Sequence, residues 1–152
     1  MPLIKENLRI EIIKIIDSSS SIHEGFPGSS SAAAVRWGEA INSYASKILP
    51  LSTTSEAAKT ALVAHLNTVP SLGEQGFVNG LISYASVLST GMQPTFTGVV
   101  PPTPIILTPA FLIGFSGGSS GDVANKLSDI IDVWFRTGTA INNSSGVVTN
   151  WN

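Results

Sequence analysis

The chain has 152 residues, 43% of them hydrophobic and only 12% charged, with no cysteine, two histidines and a formal net charge of −2 at pH 7. That length supports one domain with a core of its own, while the charged fraction is about half the usual quarter and the mean hydropathy is +0.29, so much of the outer surface is expected not to face water. The lack of cysteine excludes disulfides, thiolate metal sites and a cysteine nucleophile, and a pI near 5.5 argues against binding nucleic acid through a broad basic face.

The first residues, Met1-Pro2-Leu3-Ile4-Lys5-Glu6-Asn7-Leu8-Arg9, mix acids and bases before any apolar run, which does not match a secretory signal. The most apolar tract, 105–115, falls short of the roughly 18–20 residues a membrane helix needs and is interrupted by Pro109. No membrane span is expected.

An N-terminal helix is predicted within 1–17, because Ile4, Leu8, Ile12, Ile15 and Ile16 fall on one stripe at about 100° per residue. Leu3, Ile10 and Ile13 lie on the other side, so this helix needs a second apolar neighbour. Residues 18–31 read as a linker, with a serine run, Gly25, Pro27 and Gly28. A helical domain is expected over 32–152. Its first helix, about 32–48, aligns Trp37, Ile41, Tyr44 and Ile48 before Pro50. Thr53-Thr54-Ser55-Glu56 has the form of a capping box opening a helix that ends before Pro70, and Ala57, Ala58, Ala61 and Ala64 make that helix thin enough for close packing. A further helix at 74–90 repeats the earlier stripe forty residues on, Phe77, Leu81, Tyr84, Ala85 and Leu88 standing where Trp37, Ile41, Tyr44, Ala45 and Ile48 stood. Two helices alone do not establish a repeat.

Between 91 and 121 the helical pattern stops, and Pro94, Pro101, Pro102, Pro104 and Pro109 favour an extended arm, with an edge strand at 95–100. The last helix, about 122–137, stacks Val123, Leu127, Ile130, Ile131 and Trp134 on one face and sets Asp129, Asp132 and Arg136 on a solvated one. Asp132 and Arg136 have ion-pair spacing, and Gly138 suits a left-handed helix end. In the tail, 139–152, Asn143-Ser144-Ser145-Gly146 separates Ala140-Ile141 from Val147-Val148 as a hairpin, and Trp151 reads as an anchor on some surface.

Candidate chemistry is thin. Gly114-Phe115-Ser116-Gly117-Gly118 matches a nucleophile elbow, but both histidines, His23 and His65, precede Ser116, whereas the elbow's base follows its serine. The same stretch lacks the Gly-Lys-Ser/Thr ending of a phosphate loop. No histidine or carboxylate pair has helical zinc spacing, and His65 reads as a solvent-facing residue or a partner for the helix dipole. Asn142-Asn143-Ser144 and Asn143-Ser144-Ser145 match glycosylation sequons that asparagine-serine turns produce by chance. No catalytic, cofactor or metal site is assigned. What remains is packing: uncharged small residues can be buried against a partner without the desolvation cost of Lys or Glu.

Phe96-Thr97-Gly98-Val99-Val100-Pro101-Pro102, Trp134-Phe135-Arg136-Thr137-Gly138-Thr139-Ala140, the Ser/Gly turn with Trp151, and Trp37-Gly38-Glu39-Ala40-Ile41 with Ser52-Thr53-Thr54 carry a likeness spread over about residues 30–151. In these stretches the chain resembles small structural proteins of tailed-bacteriophage particles. The resemblance implies a non-enzymatic virion subunit of tail, baseplate, neck or head surface, whose partners are other copies of itself and other virion proteins.

The sequence therefore predicts a mainly α fold, a compact bundle of about five helices with an extended Pro-rich arm and a short C-terminal β-hairpin. Trp37, Tyr44, Phe77, Tyr84, Leu127 and Trp134 are expected in the core, and Ile10, Ile13, Phe96, Pro101, Pro102 and Trp151 at interfaces, unless they cover the domain's own core. The competing readings are a small helical module binding one apolar ligand or partner, and a hydrolase built on Ser116.

Overall fold

The computed structural model describes residues 3–17, 29–68, 73–102 and 119–152. Most of the expected linker, His23, the tract 105–115 and Ser116 lie outside these residues. The described chain is mainly helical: α1 Lys5–Ile16, α2 Ser30–Ala45, α3 Ser55–Thr68, α4 Gly73–Thr90, β1 Phe96–Val99, α5 Ser120–Phe135, β2 Thr139–Asn142 and β3 Val148–Asn150. The strands form one antiparallel sheet in the order β1-β2-β3, so the expected hairpin gains a third strand from the beginning of the expected arm.

The two apolar sides of α1 are both covered from within the chain. Leu8, Ile12 and Ile15 are buried at i, i+4 and i+7, and α1 packs against both α2 and α5. Leu3 is buried and Ile13 partly so, which leaves Ile10, at 39% exposure, facing outward. The second neighbour that the apolar pattern demands is thus α5 of the same molecule.

Helix α3 lies against both α2 and α4. Of its four alanines only Ala58 is buried among the core residues. The close approach comes instead from glycines on the neighbours: a side chain at Gly80 would meet Leu62 Cδ1 at 2.8 Å, and one at Gly38 would overlap Val63. The predicted capping box at Thr53 is replaced by tertiary bonds. Thr53 Oγ1 donates to the Gly91 carbonyl (3.2 Å), Ser52 Oγ to that of Leu88 (2.6 Å) and Thr54 Oγ1 to that of Val87 (2.6 Å). These hydroxyls tie the residues before α3 to carbonyls at and just past the end of α4. A true capping box opens α5 instead, at Ser119 and Asp122.

The core gathers around Phe135. Tyr44, Tyr84 and Trp134 meet its ring edge-on at centroid distances of 5.8, 6.1 and 5.0 Å, and Trp151 lies tilted at 6.3 Å. Tyr44, Tyr84, Leu127 and Trp134 are buried as expected, while Trp37 and Phe77 are only partly buried and pair edge-on with each other at 4.9 Å. The stripes forty residues apart therefore converge on shared neighbours. Gly138 has no positive φ; among the described residues only Gly146, at φ 70°, does. Gly138 is needed for space, since a Cβ there would sit 2.5 Å from Trp151 Cδ2.

Candidate functional site

The six residues expected at interfaces do not form one patch. Trp151 is fully buried at 0% exposure, its indole N–H donating to the Thr139 carbonyl at 2.9 Å. Pro101 is buried, and Ile13 and Phe96 are partly buried against the core. These four are buried or partly buried within the molecule itself, since apolar side chains leave water wherever the fold offers cover. Only Ile10 and Pro102 remain at the surface, and the Pro102 carbonyl accepts from Trp134 Nε1 at 3.1 Å.

The helix face read as solvated proves instead to hold a buried polar lock. Asp132 is 8% exposed; its Oδ1 accepts from the Tyr44 hydroxyl at 2.6 Å and its Oδ2 from Arg136 Nε at 2.9 Å. Arg136 also donates to the Leu3 carbonyl and to Asn152 Oδ1, both at 2.7 Å. One guanidinium, with its fixed fork of donors, thereby joins the segment before α1, the end of α5 and residue 152. Beside it, Tyr84 donates to Asn42 Oδ1 at 2.9 Å and Asn42 Nδ2 to Glu56 Oε1 at 2.6 Å. Asp129, by contrast, is exposed and pairs with Lys5 at 2.6 Å. His65 lies in the last turn of α3, half-buried beside Gly80, and its Nε2 has no partner among the described residues.

Burial pushes both phenols well above the usual tyrosine range, reinforced at Tyr44 by the Asp132 carboxylate and at Tyr84 by the charge of Glu56. A raised pKa means that the folded state keeps protons the unfolded state releases near pH 10. Stability is therefore unaffected by these groups at lower pH and falls as pH rises above about 10. Since the chain has two tyrosines in all, an alkaline titration should show no phenolate absorbance until the near-ultraviolet dichroism collapses. Phenolate forming near pH 10 in the folded protein would contradict the buried placement.

The surface that stands apart is the sheet. Side chains alternate across a strand, so the register sets Thr97, Ile141 and Val148 in one outward row and Val99, Thr139 and Asn150 in the next. The opposite rows carry Gly98 and Ala140; a Cβ at Gly98 would sit 2.7 Å from the Ser89 carbonyl oxygen, and Ala140 is buried. No residue of the outward rows is charged. The sequence bears Asp, Glu, Lys or Arg up to Glu74 and again from Asp122 to Arg136, with none in 75–121 or 137–152. Folding brings part of each uncharged stretch into a single sheet. Simple inspection of charge spacing carries this signal, whereas the strand pairing that gives it meaning is tertiary.

The two edges of the sheet differ. Along the outer edge of β1 the Phe96 amide donates to the Met92 carbonyl. Along β3, the bonds Asn142 N–H to Val147 O and Trp151 N–H to Gly138 O fix which residues face β2, and by antiparallel alternation the backbone groups of Val148, Asn150 and Asn152 face outward. Asn152 exchanges two backbone bonds with Leu49, at 2.7 and 3.1 Å. No partner for the outward groups of Val148 and Asn150 occurs among the described residues. Val147, Val148 and Leu49 stand exposed in this stretch, Val148 at 58%.

Among the described residues no three His, Asp or Glu side chains converge as metal ligands, and no helix is long and apolar enough to cross a membrane. No known protein family, no curated protein and no solved structure matches the chain.

Proposed function

We propose that this protein is a non-enzymatic structural subunit, a building block whose work is to be buried repeatedly against copies of itself and neighbouring proteins. The observation that carries the reading is the uncharged three-stranded sheet, with an open edge and exposed valines at its rim. Charged side chains normally guard such an edge, because unpaired N–H and C=O groups invite another strand, and leaving it neutral and apolar suits a surface meant to be covered. A tailed-bacteriophage particle, in its tail, baseplate, neck or head surface, is the assembly to which the sequence resemblance points, and the virion is the corresponding location.

The test is the mass distribution by light scattering across a wide concentration range. Concentration-dependent or closed oligomers are expected. A monomer throughout, with one saturable site for an apolar ligand, would overturn self-assembly in favour of a helical binding module.

A further inference from the structure

We propose that the outer edge of β3 pairs with β3 of a second copy of this chain, joining two three-stranded sheets into one six-stranded antiparallel sheet. The inference rests on the structural-subunit reading and names its first contact. The outward backbone groups belong to Val148 and Asn150, one residue on either side of Thr149. That spacing is compatible with a two-fold axis at Thr149: Val148 of each copy stands opposite Asn150 of the other, and each such pair exchanges two N–H to O=C bonds. A single operation thus satisfies every open donor and acceptor of the strand.

Charge permits the same occupant. A two-fold contact sets each side chain near its own counterpart, so a charged residue on the edge would repel itself. Residues 137–152 carry none. Exposed Val147 and Val148 flank the new pairing with apolar surface, and exposed Leu49 lies at its Asn152 end, where it already occupies the backbone. The Leu49 contact stops the edge at two open residues and thereby limits the register. A two-fold contact uses the β3 edge of each copy once, so this pairing closes at two copies.

The test compares sedimentation velocity of the wild-type protein, Val148→Lys, Val148→Pro and Ile10→Lys from micromolar to millimolar concentration. Val148→Lys places like charges across the axis, while Val148→Pro deletes an outward N–H that the folded monomer does not use; Ile10→Lys puts the same charge on the exposed face of α1. We expect a wild-type dimer, at least tenfold weaker dimerisation in both Val148 variants with unchanged circular dichroism and melting temperature, and no effect of Ile10→Lys. A dimer that persists in a folded Val148→Lys overturns the edge pairing and leaves the structural-subunit reading intact. A wild-type protein monomeric at every concentration overturns both.

Discussion

Replacing Trp151 by alanine is expected to cost about 3–5 kcal/mol of folding stability, the range for truncating a fully buried aromatic side chain. The ring fills the space over Gly138, contacts Phe135 and donates from its Nε1 to the Thr139 carbonyl, so alanine leaves a cavity and removes a hydrogen bond. Against a total of about 5–15 kcal/mol, this is a large share. At about 2–4 °C per kcal/mol for a chain of this size, the melting temperature should fall by roughly 6–20 °C. Trp151→Phe retains most of the apolar volume and should lose much less. Thermal and denaturant unfolding followed by circular dichroism checks this. An anchor that served only a partner would leave the isolated protein's unfolding unchanged, and that result would remove Trp151 from the core.

Asp132→Ala is expected to cost about 2–4 kcal/mol, between the loss of a buried hydrogen-bond partner and that of a fully buried ion pair, because the Arg136 side chain is 37% exposed and partly screened by solvent. The substitution strands the Tyr44 hydroxyl in the core and frees the guanidinium that ties Leu3 and Asn152 to α5. Tyr44→Phe should cost about 1.5–3 kcal/mol, since it takes the donor from Asp132 Oδ1 while Arg136 still holds Oδ2. Equilibrium unfolding of both single variants and the double variant gives the coupling, expected to exceed about 0.5 kcal/mol for residues in direct contact. Additive losses would show that the short contact contributes nothing of its own.

Much of the helical architecture is legible in the chain because its signals are local. The stripe through Leu8, Ile12 and Ile15, the prolines after Ile48 and Thr68, and the turn at Asn143-Ser144-Ser145-Gly146 each act within a few residues. The Ser119–Asp122 cap is equally local, although the helix it opens begins two residues ahead of the predicted start at 122. Thr53 shows where local reading fails: the hydroxyl expected to cap α3 donates to the Gly91 carbonyl, 38 residues away. Asp132 fails for the same reason. Its spacing from Arg136 is visible and the ion pair forms, yet the Tyr44 hydroxyl that accompanies its burial comes from another helix 88 positions distant.

Local signals specify a mainly helical protein with a β-hairpin at its end, an α1 that needs cover on two sides, and a scarcity of charge. Periodicity, proline and composition act along the chain, where they can be read directly. What covers what is set by the fold. It gave the second side of α1 to α5, drew Trp151 into the core, and paired β1 with the hairpin so that two uncharged stretches became one surface. An apolar side chain specifies that it must leave water and leaves its partner unspecified, because hydrophobic burial has no direction. Pairing, register and packing supply that direction, and they exist only between residues far apart in sequence.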